Sequence, residues 1–217
     1  ALGCPYLFTN CPVEAFLGGR GITLDTVEKY VYGMVFSIGQ ELIMEPVAYS
    51  KIENNKHVGL LFANDTDGMA WVSVLAEGFP SLGYQVTLPD LYPSPSEDFT
   101  SQISAFKKDG CEICVSSSSP PDFTNFWKQS LQQGYKPKLV FCGGKAFGDL
   151  TFAESMGDLA IGFMACWLMH RTFPFTDSLT GMTVQQLCDR YEADTGMQWS
   201  QNVGVQSKLS WAVDVLK

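Results

Sequence analysis

Positive charge and histidine are scarce in this chain of 217 residues. Lysine and arginine number 14 against 23 aspartates and glutamates, and no basic stripe interrupts a net charge of -9. Because proteins hold nucleic acids through many contacts between basic side chains and phosphates, the sequence predicts no nucleic-acid partner. The two histidines, His57 and His170, have no second metal ligand three or four residues further on, so no metal site is predicted.

Long uncharged apolar runs are also missing. None approaches the roughly 18 to 20 residues that a membrane-spanning helix needs, and no basic segment followed by an apolar one opens the chain. The first residues, Ala1 to Cys4, superficially resemble the end of a lipoprotein signal in which Cys4 would carry lipid, but the apolar stretch that precedes such a cysteine is not there. The alternative, a β-strand over Cys4 to Phe8, is favoured.

The seven cysteines form no even set of close pairs, which argues against a disulfide framework. Cys111 and Cys114 have the Cys-x-x-Cys spacing of thioredoxin-like redox sites, in which the first thiol lies at a helix N-terminus. Here the pair falls in the strand-like segment CEICVSS. Residues at this spacing on a strand point to opposite faces, so we expect two buried thiols rather than a redox or metal site.

What the chain does contain is a regular alternation of β-rich and helical stretches between Lys56 and about Gly162. The β-rich stretches are HVGLLFA, QVTLPDL, CEICVSS, KLVFCG and LAIGFMA. Strands separated by helices predict an α/β fold, in which a parallel sheet with right-handed crossovers is covered by helices on both faces. Ligands of such sheets bind at the carboxyl ends of the strands, so functional residues are expected there.

Outside this block the pattern is less regular. A helix is predicted to begin at Asp25 or Thr26, to continue through Val31, and to end at Pro46. Residues 168–181 have several aromatics and no period, which indicates a crossover or linker. Further elements are predicted as a strand over residues 159–167 and helices over 183–195 and 203–217.

Two motifs that would indicate catalysis are incomplete. The segment from Gly143 to Ala146 resembles a phosphate-binding loop, but that loop needs glycine where Leu139 stands and serine or threonine where Ala146 stands. The serines from Ser116 to Ser119 could supply a nucleophile, but there is no Gly-x-Ser-x-Gly elbow. Hydroxyl rows at strand ends more often bind a ligand or cap a helix. No catalytic residue and no cofactor is therefore predicted.

Small and polar residues follow three of the predicted strands. They are NDTDG at 64–68, SSSSP at 116–120 and GGK at 143–145. Backbone N–H groups at helix N-termini point to the same edge, and this combination suits anionic ligand groups. Lys145 would then supply the counter-charge. The alternative for Lys145 is an ordinary solvated surface lysine.

Four longer segments carry a resemblance to a known family. They are KHVGLLFANDTDGMAW, DFTSQISAFKKDGCE, PPDFTNFWKQSLQQGYKPK, and SLTGMT followed by TGMQW. Together they resemble the type I solute-binding proteins of ABC transporters, closest to the branched-chain-amino-acid-type, or extracellular ligand-binding receptor, family. The resemblance implies the two-lobe type I periplasmic-binding-protein fold, with hinge strands between the lobes and a ligand enclosed by hinge closure.

The resemblance also implies a division of the chain. Residues 55–167 correspond to the second lobe, residues 1–54 to part of the first, and residues 168–217 to the crossover and returning helices of the first. The family's opening strands and helices and its C-terminal stretch have no counterpart, so the first lobe is expected to be incomplete. Such a lobe exposes sheet edge and apolar helix faces. Either the chain is a fragment or a second chain completes it.

Ligand-binding positions follow from the same resemblance. The family's amino-acid binders commonly have an aromatic residue where Asp67 or Ser119 stands and an acidic residue near Gly143, and both are missing here. A ligand ammonium would then lack its charge partner, which favours a ligand with a carboxylate or another anionic group over a simple amino acid. Trp71 could add an aromatic wall, although a core position is the alternative. The expected ligand-binding residues are Thr9, Asn10, Cys11, Asp67, Ser117, Ser118, Ser119, Lys145 and Trp167.

The function implied is that of the substrate-binding component of an ABC-type uptake system. It captures a small metabolite between its lobes, without catalysis, and presents it to a membrane permease. The family implies a location in the periplasm or at the extracellular face of the cell membrane. A sensory or regulatory ligand-binding domain of the same fold is the first alternative. An α/β hydrolase or oxidoreductase is the second, and it would need a base or cofactor loop at the serine edge.

Overall fold

The computed structural model describes residues 5–8, 11–27, 29–33, 36–143, 145–148, 150–166 and 169–199. The strands are β1 (Tyr6–Phe8), β2 (Val31–Gly33), β3 (His57–Leu61), β4 (Gln85–Thr87), β5 (Ile113–Ser116), β6 (Leu139–Cys142) and β7 (Phe163–Met164). The α-helices are α1 (Val13–Arg20), α2 (Ile38–Tyr49), α3 (Thr66–Ser81), α4 (Thr100–Asp109), α5 (Pro120–Gln132), α6 (Leu150–Met156) and α7 (Val184–Thr195). Short 3-10 helices cover Leu24–Thr26, Ala146–Gly148 and Gly157–Ala160.

The central sheet has the strand order β4-β3-β5-β6-β7, and β1 pairs with β2 in a separate sheet. All of these pairings are parallel. In the register of the central sheet, Leu61 of β3 pairs with Ser116 of β5, which pairs with Cys142 of β6. The carboxyl ends of three neighbouring strands therefore lie side by side. The predicted α/β fold with parallel strands is confirmed.

Helices cover both faces of the central sheet, and each face has its own core. On one face, Phe106 of α4 and Phe123 and Trp127 of α5 are fully buried. On the other, Tyr49 of α2 and Trp71 of α3 are fully buried. All residues of β5 and β6 are buried, as expected for strands that are covered on both sides.

The predicted helix from Asp25 or Thr26 through Val31 is wrong. Val31 belongs to β2, where it pairs with Tyr6 of β1, and this parallel pairing overrides the helical spacing of the apolar residues. The helix begins only at Ile38, after Ser37, whose side chain accepts a hydrogen bond from the Gly39 N–H.

Glu14 of α1 strengthens this start, because its carboxylate accepts hydrogen bonds from the Ser37 hydroxyl at 2.5 Å and from the Ile38 N–H at 3.0 Å. Pro46 does not end α2 but lies inside it. The inward residues Ile38 and Tyr49 belong to the same core as Val58 of β3.

The division of the chain into lobes at residues 54 and 167 stays a prediction.

The strand expected over residues 159–167 is shorter than predicted. Its first part forms the 3-10 helix Gly157–Ala160, and only Phe163–Met164 pairs with β6. Gly162 separates the two with φ 97°, and a Cβ there would lie 2.5 Å from the Lys138 carbonyl oxygen. This turn therefore requires glycine.

The helix expected over 183–195 is α7, capped by Thr183, whereas residues 203–217 lie outside the described part.

Cys111 and Cys114 are buried free thiols, but they lie in the same core rather than on opposite faces, because Cys111 precedes β5. Within the described ranges, no helix combines the length and apolar character needed to cross a membrane.

Candidate ligand-binding site

Three of the expected ligand-binding residues meet at the carboxyl edge of the central sheet. Asp67 lies in the first turn of α3, Ser117 follows β5, and Lys145 follows β6. The Lys145 Nζ is 2.7 Å from the Asp67 Oδ2, and the Ser117 hydroxyl donates a hydrogen bond to the same oxygen at 3.0 Å. The side chains of Lys145 and Asp67 are 42% and 22% exposed. This edge therefore presents a charged, partly solvated cluster that a ligand could reach.

The position of Asp67 is fixed by the junction between β3 and α3. Asp65 caps α3 and accepts a hydrogen bond from the Gly68 N–H at 2.7 Å. Gly68 packs so tightly that a Cβ would lie 2.0 Å from the Ala63 carbonyl oxygen. The sequence NDTDG thus closes the turn and holds Asp67 at the helix N-terminus, where the macrodipole favours a negative charge.

The serines after β5 differ in what their hydroxyls do. Ser118 is buried, and its hydroxyl accepts a hydrogen bond from the Tyr92 hydroxyl at 2.8 Å and lies 2.6 Å from the Ser116 hydroxyl. Ser119 caps α5, where its hydroxyl donates to Asp122 at 3.0 Å. Among Ser117, Ser118 and Ser119, only Ser117 joins the Asp67–Lys145 cluster. The other two hold the loop in place.

The loop after β6 is fixed by backbone contacts. The Gly143 N–H donates to the Ser116 carbonyl at 2.8 Å, which ties this loop to the serine loop. A Cβ on Gly143 would come within 3.0 Å of the Trp71 ring. Trp71 itself is 1% exposed and stacks on Phe62, so it is a core residue and not an aromatic wall of the site.

Of the expected ligand-binding residues Thr9, Asn10 and Cys11, which lie together in the sequence, Cys11 is the one that the structure describes. It lies in a bend just before α1 and is partly buried. Burial, with the Asp67 carboxylate adding to it, raises the pKa of the Cys11 thiol. The thiol is therefore within electrostatic range of the site. Thr9, Asn10 and Trp167, which were also expected there, lie outside the described residues.

Sequence reasoning missed Tyr92 and Asp122, whose hydrogen bonds to Ser118 and Ser119 hold the serine loop in place. Asp122 is 1% exposed and accepts hydrogen bonds from the Ser94 hydroxyl at 2.6 Å, the Ser96 N–H at 2.9 Å and the Ser119 hydroxyl. It thereby links the loop after β4 to the start of α5. A signal existed, because Ser119 and Asp122 have the Ser-x-x-Asp spacing of a helix N-terminus. No comparable signal marks Tyr92.

The sequence profile of a family described as "Periplasmic binding protein" matches residues 12–213. The chain belongs to this periplasmic binding protein family. The family and its structural relatives are substrate-binding proteins, which are not enzymes.

A curated relative is the Leu/Ile/Val-binding protein homolog 8 of Brucella abortus (strain 2308), which is 22% identical over 198 residues, covering 90% of this chain and 44% of the relative. An extracellular ligand-binding receptor from Rhodopseudomonas palustris HaA2 has a similar structure, with a TM-score of 0.69, 19% identity, and coverage of 95% of this chain and 56% of that one. A leucine binding protein from Thermotoga maritima MSB8 gives a TM-score of 0.66 and 18% identity, covering 81% of this chain and 48% of that one.

These likenesses show the type I periplasmic-binding-protein fold. The chain spans about half the length of the relatives it matches.

Proposed function

We propose that this chain is part of the substrate-binding component of an ABC-type uptake system, and that it captures a small metabolite at the edge formed by Asp67, Ser117 and Lys145. Family membership supports the general function. The observation that carries the site is the convergence of these three loops, with Lys145 2.7 Å from Asp67 and Ser117 3.0 Å from Asp67. Backbone N–H groups at the start of α3 and α5 lie at the same edge.

The ligand that we propose has a carboxylate or another anionic group, with Lys145 as its counter-charge. Lys145 is already paired with Asp67, but this pair is partly exposed, and such pairs contribute at most about 1 kcal/mol. A hydrogen bond from the ammonium to a ligand carboxylate contributes roughly 1.5 to 3 kcal/mol. Because an ammonium has three donors, Lys145 can bind the ligand with or without releasing Asp67.

A zwitterionic amino acid is the second candidate, and the position of Asp67 favours it. The acidic residue that the family's amino-acid binders have near Gly143 is missing in this chain. The Asp67 carboxylate, however, lies beside Lys145 and could pair with a ligand ammonium in its place. An amino acid could insert into this pair, with its carboxylate on Lys145 and its ammonium on Asp67. The names of two relatives, a Leu/Ile/Val-binding protein homolog and a leucine binding protein, agree with such a ligand.

In this proposal the protein works by conformational capture. The ligand stabilises a closed arrangement of two lobes by binding it more tightly than the open one, and no bond is made or broken. The closed form is then presented to a membrane permease, in the periplasm or at the extracellular face of the membrane. A sensory domain of the same fold would use the same capture step without the permease.

Native mass spectrometry of the freshly purified protein, followed by calorimetric titration, tests this function. We expect a retained small molecule that is chemically unchanged on release, and saturable binding of at least one compound from a panel of carboxylates and amino acids. A released molecule that the protein has altered would support the enzyme alternative. No retained molecule and no binding across the panel would contradict the proposal.

A further inference from the structure

Helix α2 is unusual because acidic residues occupy its inward face. Its buried residues are Ile38, Glu41, Glu45 and Tyr49, which follow helical spacing, whereas Ile43 and Val47 on its outward face are exposed. Glu41 and Glu45 are each only 4% exposed. Charged side chains are seldom buried to this extent without a partner, because removing a carboxylate from water costs free energy.

Neither carboxyl group is fully satisfied. The Tyr49 hydroxyl donates a hydrogen bond to the Glu45 Oε2 at 2.6 Å, but the buried Glu45 Oε1 and Glu41 Oε2 have no hydrogen-bond partner among the described residues. None of the ion pairs formed in the described part of the chain includes Glu41 or Glu45.

Both glutamates line a pocket of about 110 Å³ between α2 and the end of the central sheet. Apart from these two acids, its wall consists of apolar and sulfur-containing residues, namely Met44, Ala48, Phe141, Met164, Ala165 and Cys166. The pocket is larger than the roughly 30 Å³ that one water molecule occupies in the liquid. It therefore combines two acidic groups with an apolar surface that can accept a short alkyl chain.

We propose that this pocket is a second binding site, separate from the Lys145 cluster, and that it takes a small primary alkylammonium ion. The ammonium would lie between Glu41 and Glu45, where its three donors can reach the unpartnered carboxyl oxygens. The alkyl chain would lie against Phe141 and Met164. Burying two carboxylates is favourable only when a cation is buried with them, and an ammonium with a short apolar stem matches both parts of the wall.

A metal ion fits this pocket less well. Calcium takes roughly 6 to 8 oxygen ligands, and magnesium needs a near-octahedral set, which two carboxyl groups in an apolar wall cannot supply. The described residues also contain no group of three or more histidine, cysteine or acidic side chains arranged to hold a metal.

The protonation of the pocket gives the binding a characteristic pH dependence. Burial raises the pKa of both Glu41 and Glu45 to about 8. The neighbouring groups act on them unequally: Glu45, Glu14 and Asp67 raise the pKa of Glu41 further, whereas the Tyr49 hydrogen bond lowers that of Glu45. Burial also raises the pKa of the Cys166 thiol to about 11, so this thiol stays neutral. An alkylammonium must therefore displace protons from the glutamates at neutral pH.

Calorimetric titration of the full chain with n-butylammonium chloride tests the proposal. We expect saturable binding at about pH 9, where the glutamates are ionised and an amine of pKa near 10.4 is still charged. Affinity should fall about tenfold for each unit below about pH 8 if one proton is displaced. Butanol, which has the same stem without the charge, should bind at least about tenfold more weakly.

Variants locate the bound ion. Glu41→Gln and Glu45→Gln resemble the protonated acids in shape, and each should weaken butylammonium binding at least about tenfold. The same change at the exposed Glu77 of α3, together with Lys145→Ala at the other cluster, should leave it unchanged.

Absence of saturable binding to the folded wild type, equal binding of butanol, or binding that is lost in Lys145→Ala but kept in Glu45→Gln would overturn the proposal. The wild-type pH series decides the matter even if a glutamine variant fails to fold. Because Lys145→Ala separates the two sites, failure here leaves the proposed uptake function untouched.

Discussion

The Lys145 ammonium lies 2.7 Å from the Asp67 carboxylate, so the candidate site carries its own internal ion pair. An anionic ligand must compete with Asp67 for Lys145, whereas a zwitterion can use both charges. The variant Asp67→Asn separates these cases. For a carboxylate ligand we expect affinity to rise about 2- to 5-fold, because an exposed pair of this kind holds Lys145 with at most about 1 kcal/mol.

Titration calorimetry of Asp67→Asn against simple carboxylates and the corresponding amino acids measures this effect. Asp158→Asn, which changes an exposed acid elsewhere, serves as the control. A loss of affinity of tenfold or more on removing Asp67, confined to ligands with an ammonium group, would instead establish the amino-acid alternative.

The buried glutamates of α2 should make stability depend on pH. Burial raises their pKa in the folded state from 4.5 to about 8. The folded protein therefore binds more protons than the unfolded chain between these values, and their contribution to the free energy of unfolding falls as pH rises through this window. Each group contributes a slope of up to about 1.4 kcal/mol per pH unit.

Urea denaturation of the wild type and of Glu45→Gln between about pH 5 and pH 8 checks this, because the variant should lose part of the slope. Glu77→Gln, on the exposed face of α3, should keep the wild-type slope. Parallel curves for the wild type and Glu45→Gln would show that Glu45 does not titrate in this window.

Gly68 should be the least replaceable glycine of the site. A Cβ there would lie 2.0 Å from the Ala63 carbonyl oxygen, so Gly68→Ala must move the backbone that presents Asp67. We expect a loss of at least about 2 kcal/mol in the free energy of unfolding and weaker ligand binding. The matched change Gly18→Ala in α1 meets no atom within 4 Å and should be neutral or stabilise by up to about 1 kcal/mol. Chemical denaturation of both variants measures the difference, and equal stabilities would contradict the tight junction.

Asp122 should matter for stability although it is not expected to touch the ligand. Its carboxylate accepts hydrogen bonds from Ser94, Ser96 and Ser119 and is almost completely buried. In Asp122→Asn the amide oxygen can keep the Ser96 N–H while the N–H₂ group faces the Ser94 and Ser119 hydroxyls, which must turn to accept from it. Because hydrogen bonds to a charged carboxylate become weaker neutral ones, we expect a loss of about 2 to 3 kcal/mol. Denaturation of this variant beside Asp158→Asn is the measurement, and an effect no larger than that of the exposed control would refute the role given to Asp122.

The parallel sheet was predictable from the sequence, because β3, β5 and β6 are continuous apolar runs separated by helix-length segments. The edge that carries Asp67, Ser117 and Lys145 followed from the same pattern. The first fifty residues were less predictable. Val31 has the spacing of a helical residue, but its pairing with Tyr6 is a long-range contact that local spacing does not reveal.

Side-chain partnerships were the least predictable level. Asp67 and Lys145 were each expected at the site, but their pairing depends on how the loops after β3 and β6 turn toward each other. The inward position of Glu41 and Glu45 contradicts the usual rule that acids face water, and no local motif marks it. Such an arrangement becomes visible only when α2 is placed on the sheet.

The central claim, capture of an anionic metabolite by Lys145, is tested most directly by titrating Lys145→Ala with the carboxylate that the wild type binds most tightly. Lys136→Ala, which removes an exposed lysine before β6 at the opposite edge of the sheet, is the matched control. We predict at least about tenfold weaker binding for Lys145→Ala, since a hydrogen bond to a charged group contributes roughly 1.5 to 3 kcal/mol, and unchanged binding for Lys136→Ala. Wild-type affinity in Lys145→Ala, or an equal loss in both variants, would contradict the account.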